Sequence, residues 1–588
     1  MAKWMLRRTT ADIVNLSRQA GIPPVLARIL AVRGYKTPEM IKDFISDEYS
    51  LADPLLFTDM DKAIQTTYQA IAGQKKIAIF GDYDADGIMS TVILQRTLSS
   101  LGANVSYYIP NREEEGYGLN ISAIDKLHKQ GIELIIACDN GISAFAEIEH
   151  ANDLGIDTII LDHHAVFVDE EGQGRQILPP ATAVVDAKRT DCQYPFKQYC
   201  AAGLCYRFSE ALYAYCQQDW SVLRESLLPL ATIATVCDLV DLDADNRYLV
   251  KKGLPLITKS NNIGLNALLS VTNLKDKKID TYHIGFILGP CINASGRLDI
   301  ADIAVELFLT DDAAIAQKHA QLLLELNEKR KRLTEEGTKL ALRDINEQNL
   351  DQNKIIVLHC PQILESVAGI VAGKVKERYH KPVIIIAGDK EVLHGSCRSI
   401  ENYNIFEGLQ SCQECLVTFG GHPMAAGLSI ERIKVTDFAN RINSLCELSN
   451  DDMEAIYRID CQLSPVEANL TLARQLNLLA PYGKGNTKPL FADKGLSIEK
   501  ITLVGRDEKV MRLLLRDQKG WLAELINFSD KEKMQNLLNS VNEEYWSSLL
   551  VGKSKEIVKL DIIYAVSVNS FNGKDSAQLQ LIDFRLSK

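Results

Sequence analysis

The stretch Lys76–Ile77–Ala78–Ile79–Phe80–Gly81–Asp82–Tyr83–Asp84–Ala85–Asp86–Gly87 sets an apolar run of strand length directly against a glycine-bounded turn of aspartates. Two further runs end the same way. Leu134–Ile135–Ile136–Ala137–Cys138 stops at Asp139–Asn140–Gly141, and Thr158–Ile159–Ile160–Leu161 stops at Asp162–His163–His164. Helix-length segments Ile88–Leu101, Ile121–Gln130 and Ala144–Leu154 alternate with these runs and stop at Gly102, Gly131 and Gly155, as helix ends do. Strands alternating with helices at this spacing predict βαβ units and a parallel sheet with right-handed crossovers. Ligands bind such sheets outside the carboxyl ends of the strands, so the acids and imidazoles gather in one crevice. With no opposing charge nearby in sequence they repel one another, and divalent metal ions are the expected compensation. The pattern points to a metal-dependent phosphodiester hydrolase using a two-metal mechanism.

The rest of the composition is compatible with that chemistry. At 588 residues the chain is long enough for several domains, and its 46% hydrophobic and 24% charged residues are those of an ordinary globular protein. No run approaches the ~18 apolar residues of a membrane span. The opening MAKWMLRRTT lacks the apolar core of a secretory signal, so a cytoplasmic location without membrane attachment is expected. The thirteen cysteines are scattered, many inside apolar runs (Cys138, Cys205, Cys237), which predicts reduced buried thiols rather than a disulfide framework. Cys412 and Cys415 form a lone CxxC with no second pair at zinc-like spacing, and read as incidental. The net charge of −12 weighs against a nucleic-acid partner, but metal-ligand carboxylates contribute to it and bound ions reverse the local sign. Lys329–Arg330–Lys331–Arg332 reads first as a solvated helix face.

The chain divides by pattern into five parts: a helical segment over 1–55, the α/β catalytic domain over 56–260, a helical connector over 261–345, a second α/β unit over 346–455 and a β-rich domain over 461–588. Asp238 lies in the apolar segment Leu227–Val240, and a buried acid in that setting reads as a metal ligand. In the second α/β unit, Lys354–Leu358 and Pro382–Ala387 predict strands around a helix Val367–Tyr379, followed by Gly420–Gly421–His422, where paired glycines let the backbone approach a ligand. Val510–Leu515, Leu560–Val566 and Ala577–Ile582, with Asn572–Gly573 between the last two, predict antiparallel strands, a hairpin and a small barrel of the oligonucleotide-binding type.

Taken together, GDYDADG (81–87), CDNG (138–141), LDHH (161–164) and TVCDLVDLDADNR (235–247) resemble the DHH phosphoesterase family. The resemblance extends over nearly the whole chain through IGFILGPCINASGRLD (284–299), GSCRSIENYNI (395–405), FGGHPMAAGL (419–428), PYGKGNTKPLF (481–491) and NSFNGKDSAQLQLID (569–583). In these motifs the chain resembles most closely the family's branch of single-strand-specific 5′→3′ exonucleases. The resemblance implies a multidomain α/β architecture: a parallel-sheet DHH catalytic domain, a linking helix, a DHH-associated α/β domain carrying GGH, and a C-terminal OB-fold barrel. It implies release of 5′-mononucleotides from single-stranded DNA, in recombination and repair, with two Mg²⁺ or Mn²⁺ ions. Single-strand-binding protein and recombination helicases are the expected partners of a monomer. The chain departs from the family pattern at Phe80 (often His), Asp186 (usually Asn), Cys291 (commonly Arg), Phe571 (commonly Trp) and Leu364–Ile370, which lacks the usual His and first Gly.

Within this frame Asp84, Asp86, Asp139, Asp162, His163, His164 and Asp238 are the expected catalytic set. Asp82, Asp84, Asp86, Asp139, His163 and Asp238 are the expected metal ligands, with Asp139 bridging because it ends the central strand. Water is the expected nucleophile. His164, Asn293, Arg297, Arg398 and His422 are the candidate phosphate contacts, since guanidinium forks match phosphate oxygens. For Arg297 the competing reading is an ion pair with Asp299. Tyr403 and the Tyr107–Tyr108 pair read as core packing in preference to base stacking. Two other functions fit parts of the pattern: a DHH-type phosphodiesterase for short oligoribonucleotides or cyclic dinucleotides, and a non-catalytic single-strand-binding scaffold. The C-terminal β domain weighs against the first, and the intact acid set against the second.

Overall fold

The computed structural model describes residues 2–587 except 112–114, 117, 170–174, 299–300, 506–507, 509, 529, 553–557 and 572. The chain forms two compact units, residues 51–455 and residues 1–50 together with 456–588.

The larger unit opens on a five-stranded, all-parallel sheet in the order Asn104–Tyr108, Lys76–Phe80, Leu134–Cys138, Asp157–Leu161, Ala183–Val185. Both faces are covered, so the central strands are apolar without interruption. Strand alternation divides their side chains between two cores. Ile77, Ile79, Ile136 and Cys138 pack with the helices Ala85–Ser100, Ala201–Tyr215 and Ser221–Cys237. Ala78, Phe80, Ile135 and Ala137 pack with Ile121–Lys129 and Phe145–Asp153. The chain runs from Lys76–Phe80 outward to Asn104–Tyr108, then returns to place Leu134–Cys138 on the other side. The direction of winding therefore reverses between the strands that end at Gly81–Asp86 and at Asp139, where a parallel sheet leaves its crevice open.

The helix Ala313–Glu347 spans about 52 Å at 1.5 Å per residue. Its beginning (Ala316, Ala320, Leu323) is part of the first core, and its end (Ala341, Ile345) packs with Val367 and Val371 of the next α/β layer. That layer is a mixed sheet in the order Thr418–His422, Ala425–Glu431, Val392–Arg398, Val383–Ala387, Ile356–His359. Among the described helices none is long and apolar enough to cross a membrane. All thirteen cysteines are free thiols, as their scatter predicts.

The smaller unit holds a closed barrel of Phe491–Val504, Val510–Arg516, Leu522–Asn527, Lys559–Phe571 and Lys574–Leu586. Residues 1–55, expected to be helical, begin instead with a strand, Lys3–Leu6, paired in parallel with Ile456–Ile459. The helices Ile13–Ala20, Pro24–Val32 and Pro38–Ile45 then share the barrel's hydrophobic cluster. Arg33 makes a two-pronged contact with Asp460, at 3.0 and 2.9 Å, and Trp4 Nε1 donates to Asp583 at 2.7 Å. The first strand escapes a sequence reading because four residues carry no periodicity and the pairing partner lies at the far end of the chain.

Candidate metal centre

Each acid is delivered by a local device. Asp84 caps the helix Ala85–Ser100, its Oδ1 accepting from the amides of Asp86 (2.9 Å) and Gly87 (3.2 Å). Asp86, in the first turn, points into the protein and accepts from the amides of Ala201 (2.7 Å) and Ala202 (2.8 Å). Those amides open the helix Ala201–Tyr215, whose positive end suits a carboxylate. Asp139 follows its strand with φ +64°, a left-handed conformation that Asp tolerates better than most residues. Asp162 is buried and accepts from the amides of Ile142 (3.0 Å), His163 (2.7 Å) and His164 (3.2 Å), and contacts His164 Nδ1 at 2.7 Å. Asp238 ends the helix Ser221–Cys237 as its C-cap.

The turn at 81–87 leaves no room for larger residues. A Cβ on Gly87 would lie 2.5 Å from Asp82 Cβ and 2.6 Å from that residue's Cα and N. Backbone cannot move aside cheaply, so Gly87→Ala is expected to destabilise the protein by roughly 1–3 kcal/mol. It should also reduce the stabilisation that added Mn²⁺ provides. Thermal melting with and without Mn²⁺ checks both effects; a wild-type melting pair would contradict them.

These devices converge. His163 Nε2 lies 3.2 Å from Asp139 Oδ1 and 3.6 Å from Asp86 Oδ2, and its Nδ1 lies 3.7 Å from Asp238 Oδ2. Among the described residues three sets of donor atoms fall within 4.8 Å of one another: Asp82, Asp84 and Asp139; Asp86, His163 and Asp238; and Asp139, His163 and His164. Asp139 and His163 each belong to two sets.

The electrostatics are those of a site built for cations. Burial, reinforced by Asp86, Asp84, Asp82 and Asp238, raises the Asp139 carboxyl well above the ordinary range. Burial and neighbouring acids push Asp238 up to about 8 and Asp86 to about 7. Burial, with the nearby His164 charge, lowers His163 to about 3 and leaves it neutral, the form in which imidazole binds a metal. His163 Nδ1 is buried and lies 3.7 Å from Asp238 Oδ2. His164 differs: burial opposes its charge, but the Asp162 carboxylate outweighs burial and raises it to about 9. Asp162 is held well below the usual carboxylate range, burial being outweighed by the charge and hydrogen bond of His164. Crowded acids with a neutral imidazole fit hard divalent ions such as Mg²⁺ or Mn²⁺.

The candidate phosphate contacts are distributed around this cluster. The His422 and His164 rings lie nearly parallel with centroids 6.3 Å apart. His422 and Arg398 both register against Ala425, so they occupy one end of three adjacent strands. Arg398 Nη1 donates to the Cys397 carbonyl at 2.7 Å. Its guanidinium lies against Gly369, where a Cβ would meet Nη2 at 2.8 Å. Arg297 Nη1 donates to the Ser366 carbonyl at 3.3 Å, while Asp299 lies outside the described residues. The departure at 364–370 therefore lies against both arginines. Asn293 Oδ1 accepts from the Ala85 amide at 2.7 Å, which fixes the start of the helix carrying Asp86. Phe80 is buried and stacks on Tyr108 at 5.3 Å, and Tyr403 packs against its own domain's core.

Lys188 is a residue of the site that the sequence reading misses. Its ammonium donates to the His163 carbonyl, and its charge acts on His163, His164, His422 and Asp238. It follows the short strand Ala183–Val185, whose end lies beside that of Asp157–Leu161. The strand-end rule that located the acids reaches Lys188 when applied to one more strand. Asp186, at the same strand end, is buried, takes the Lys188 amide at 2.6 Å and is raised by burial to about 7.

The family models that match the chain are the DHH family N-terminal domain over residues 76–235, the DHHA1 domain over 352–448 and the RecJ OB domain over 459–583. The single-stranded-DNA-specific exonuclease RecJ of Bacillus subtilis strain 168 is 32% identical, covering 100% of this chain and 71% of its own length. The protein of that name in Escherichia coli K12 is 31% identical, covering 98% of each. The crystal structure of Thermus thermophilus RecJ in complex with Mn²⁺ superimposes with a TM-score of 0.80 at 26% identity, covering 100% of this chain and 80% of that one. A crystal structure of exonuclease RecJ bound to manganese matches 67% of this chain and 96% of its own at 31% identity, with a TM-score of 0.58. In domain order, in identity along the whole chain and in fold, this chain belongs to the RecJ family of DHH-domain exonucleases.

Proposed function

We propose that this chain degrades single-stranded DNA from the 5′ end, releasing 5′-mononucleotides by metal-dependent phosphodiester hydrolysis in recombination and repair. The observation that carries this reading is the linked donor sets around Asp139 and His163, buried and short of compensating charge. Asp82, Asp84 and Asp139 would hold one Mg²⁺ or Mn²⁺ ion, and Asp86, His163 and Asp238 the other. The ions supply the charge that acidifies a water and offsets the developing charge on phosphate. Asp162 keeps His164 cationic, and His164 with His422 presents imidazole edges toward a phosphate. Arg297 and Arg398, both against residues 364–370, add guanidinium donors, and Asn293 positions the acid loop. The OB barrel supplies a surface for the rest of the strand. Single-strand-binding protein and recombination helicases are the partners this role implies, for a cytoplasmic monomer.

The alternatives separate in one experiment. With Mn²⁺ or Mg²⁺ present, a long single strand should be degraded, a blunt duplex should persist, and a dinucleotide should be hydrolysed more slowly than the strand. Preference for the dinucleotide would support the small-substrate phosphodiesterase. Strand binding without any hydrolysis would support the scaffold.

The acid cluster also predicts how metal and pH act together. A carboxyl raised in the folded state contributes stability below its unfolded pKa and loses it as pH climbs through the folded value. For Asp86 and Asp238 that loss runs from the ordinary carboxylate range up to about 7 and about 8. Ions binding at a pH below those folded values must displace protons. Mn²⁺ should therefore raise the melting temperature more at about pH 8 than at about pH 6. Equal increments at the two pH values would contradict the assignment of these acids as ligands.

A further inference from the structure

Beyond the metal centre, the segment Thr281–Leu298 carries an exposed pair that its packing does not use. Tyr282 and Phe286 are 57% and 67% exposed, yet their rings stack on each other at 4.9 Å with an interplanar angle of 26°. The pair stands on a fixed base. Asp280 caps the turn through His283, and residues Ile284–Leu288 form a π-helical turn, a geometry frequent at functional sites.

The segment also packs closely on the helix that ends at Asp238. A Cβ on Gly289 would lie 2.4 Å from Cys237 Sγ, and one on Gly285 would lie 3.9 Å from Val236. Further along, a Cβ on Gly296 would lie 2.4 Å from the Tyr83 carbonyl. Asn293 and Arg297 lie about one turn apart on the α-helix Gly289–Leu298, which continues directly from the π-helical turn that carries Phe286. Asn293 holds the acid loop through Ala85, and Arg297 reaches the Ser366 carbonyl. Phe286 precedes Asn293 by seven residues, no more than about 10 Å along the axis. Leu239, immediately after Asp238, is 65% exposed with φ +57°, adding apolar surface beside that acid.

We propose that the Tyr282–Phe286 pair is a stacking platform for the bases of a single strand held at the metal centre. The inference rests on the single-strand reading above and adds a site for bases where that reading assigned groups only to phosphate and metal. Aromatic faces stack on any base, so the platform would bind without sequence preference. A duplex keeps its base faces covered and would gain nothing from it.

The test compares the full chain with its Tyr282→Ala, Phe286→Ala, Phe286→Leu and Phe286→Trp variants in the presence of Mn²⁺. Two substrates are used, an oligothymidylate and an abasic strand of equal length. For the oligothymidylate, KM should rise about tenfold in both alanine variants and in Phe286→Leu, and stay near wild type in Phe286→Trp. For the abasic strand, all variants should match wild type, and kcat should change little throughout. Full activity of Phe286→Leu on oligothymidylate, or equal weakening on the abasic strand, would overturn the platform while leaving the single-strand reading intact. Wild-type protein that degrades neither strand would overturn both. The abasic arm also separates loss of stacking from a general loss of fold.

Discussion

Changing Asp139 to asparagine is expected to lower single-strand hydrolysis by roughly 10²-fold or more, with the fold preserved. Asp139 contributes to the set with Asp82 and Asp84 and lies 3.2 Å from His163 of the set with Asp86 and Asp238, so losing its charge should weaken one proposed ion site directly and disturb its neighbour. Asparagine is the informative choice. The residue sits at φ +64°, which Asn adopts readily, whereas Ala would add roughly 1–2 kcal/mol of backbone strain and blur the result. The amide of residue 139 donates to the Leu161 carbonyl at 3.2 Å whatever the side chain. Removing a carboxylate that its neighbours oppose should leave metal-free stability unchanged or higher. Turnover with Mn²⁺ and melting in chelator measure the two effects. Near-normal turnover, or melting several degrees below wild type in chelator, would show that this acid does something else.

Asp162→Asn should be similarly damaging, by about 10²-fold, but through a different route and with a distinctive pH profile. Asp162 binds three amides and the His164 ring, so asparagine sets at least one N–H donor against others and loosens the turn. It also removes the charge that lifts His164 to about 9. A raised histidine keeps its proton below the folded pKa and loses it above. The wild-type imidazole is therefore cationic at about pH 8, whereas in the variant it falls back toward its ordinary value near 6.5. The defect should be larger at about pH 8 than at about pH 6. Profiles of kcat/KM for the two proteins check this, and parallel profiles would remove His164 from its assigned role.

The sheet was legible because its strands are buried on both faces and bounded by glycine and acid. Lys76–Phe80 and Leu134–Cys138 read as strands without help from the rest of the chain. Asp82, Asp84, Asp86, Asp139 and Asp162 were legible because the winding rule assigns chemistry to strand ends, and Asp238 because it interrupts an apolar run. What escaped was information carried by distant partners. Nothing near Asp86 announces the amides of Ala201 and Ala202, and nothing near Lys3–Leu6 announces Ile456–Ile459. Asn293 reads as a phosphate contact from its residue type, yet its carbonyl oxygen caps the helix that positions Asp86. Phe80 reads as a departure from a histidine; in the fold it is a core residue against Tyr108, and the ligand sets form without it.

The metal centre should attack a single strand from one end. A time course on a 3′-labelled oligonucleotide with Mn²⁺, beside its blunt duplex, tests it most directly. Labelled strands should shorten stepwise from the unlabelled end, with no internal fragments and an intact duplex. Immediate release of labelled mononucleotide, or equal degradation of the duplex, would contradict it.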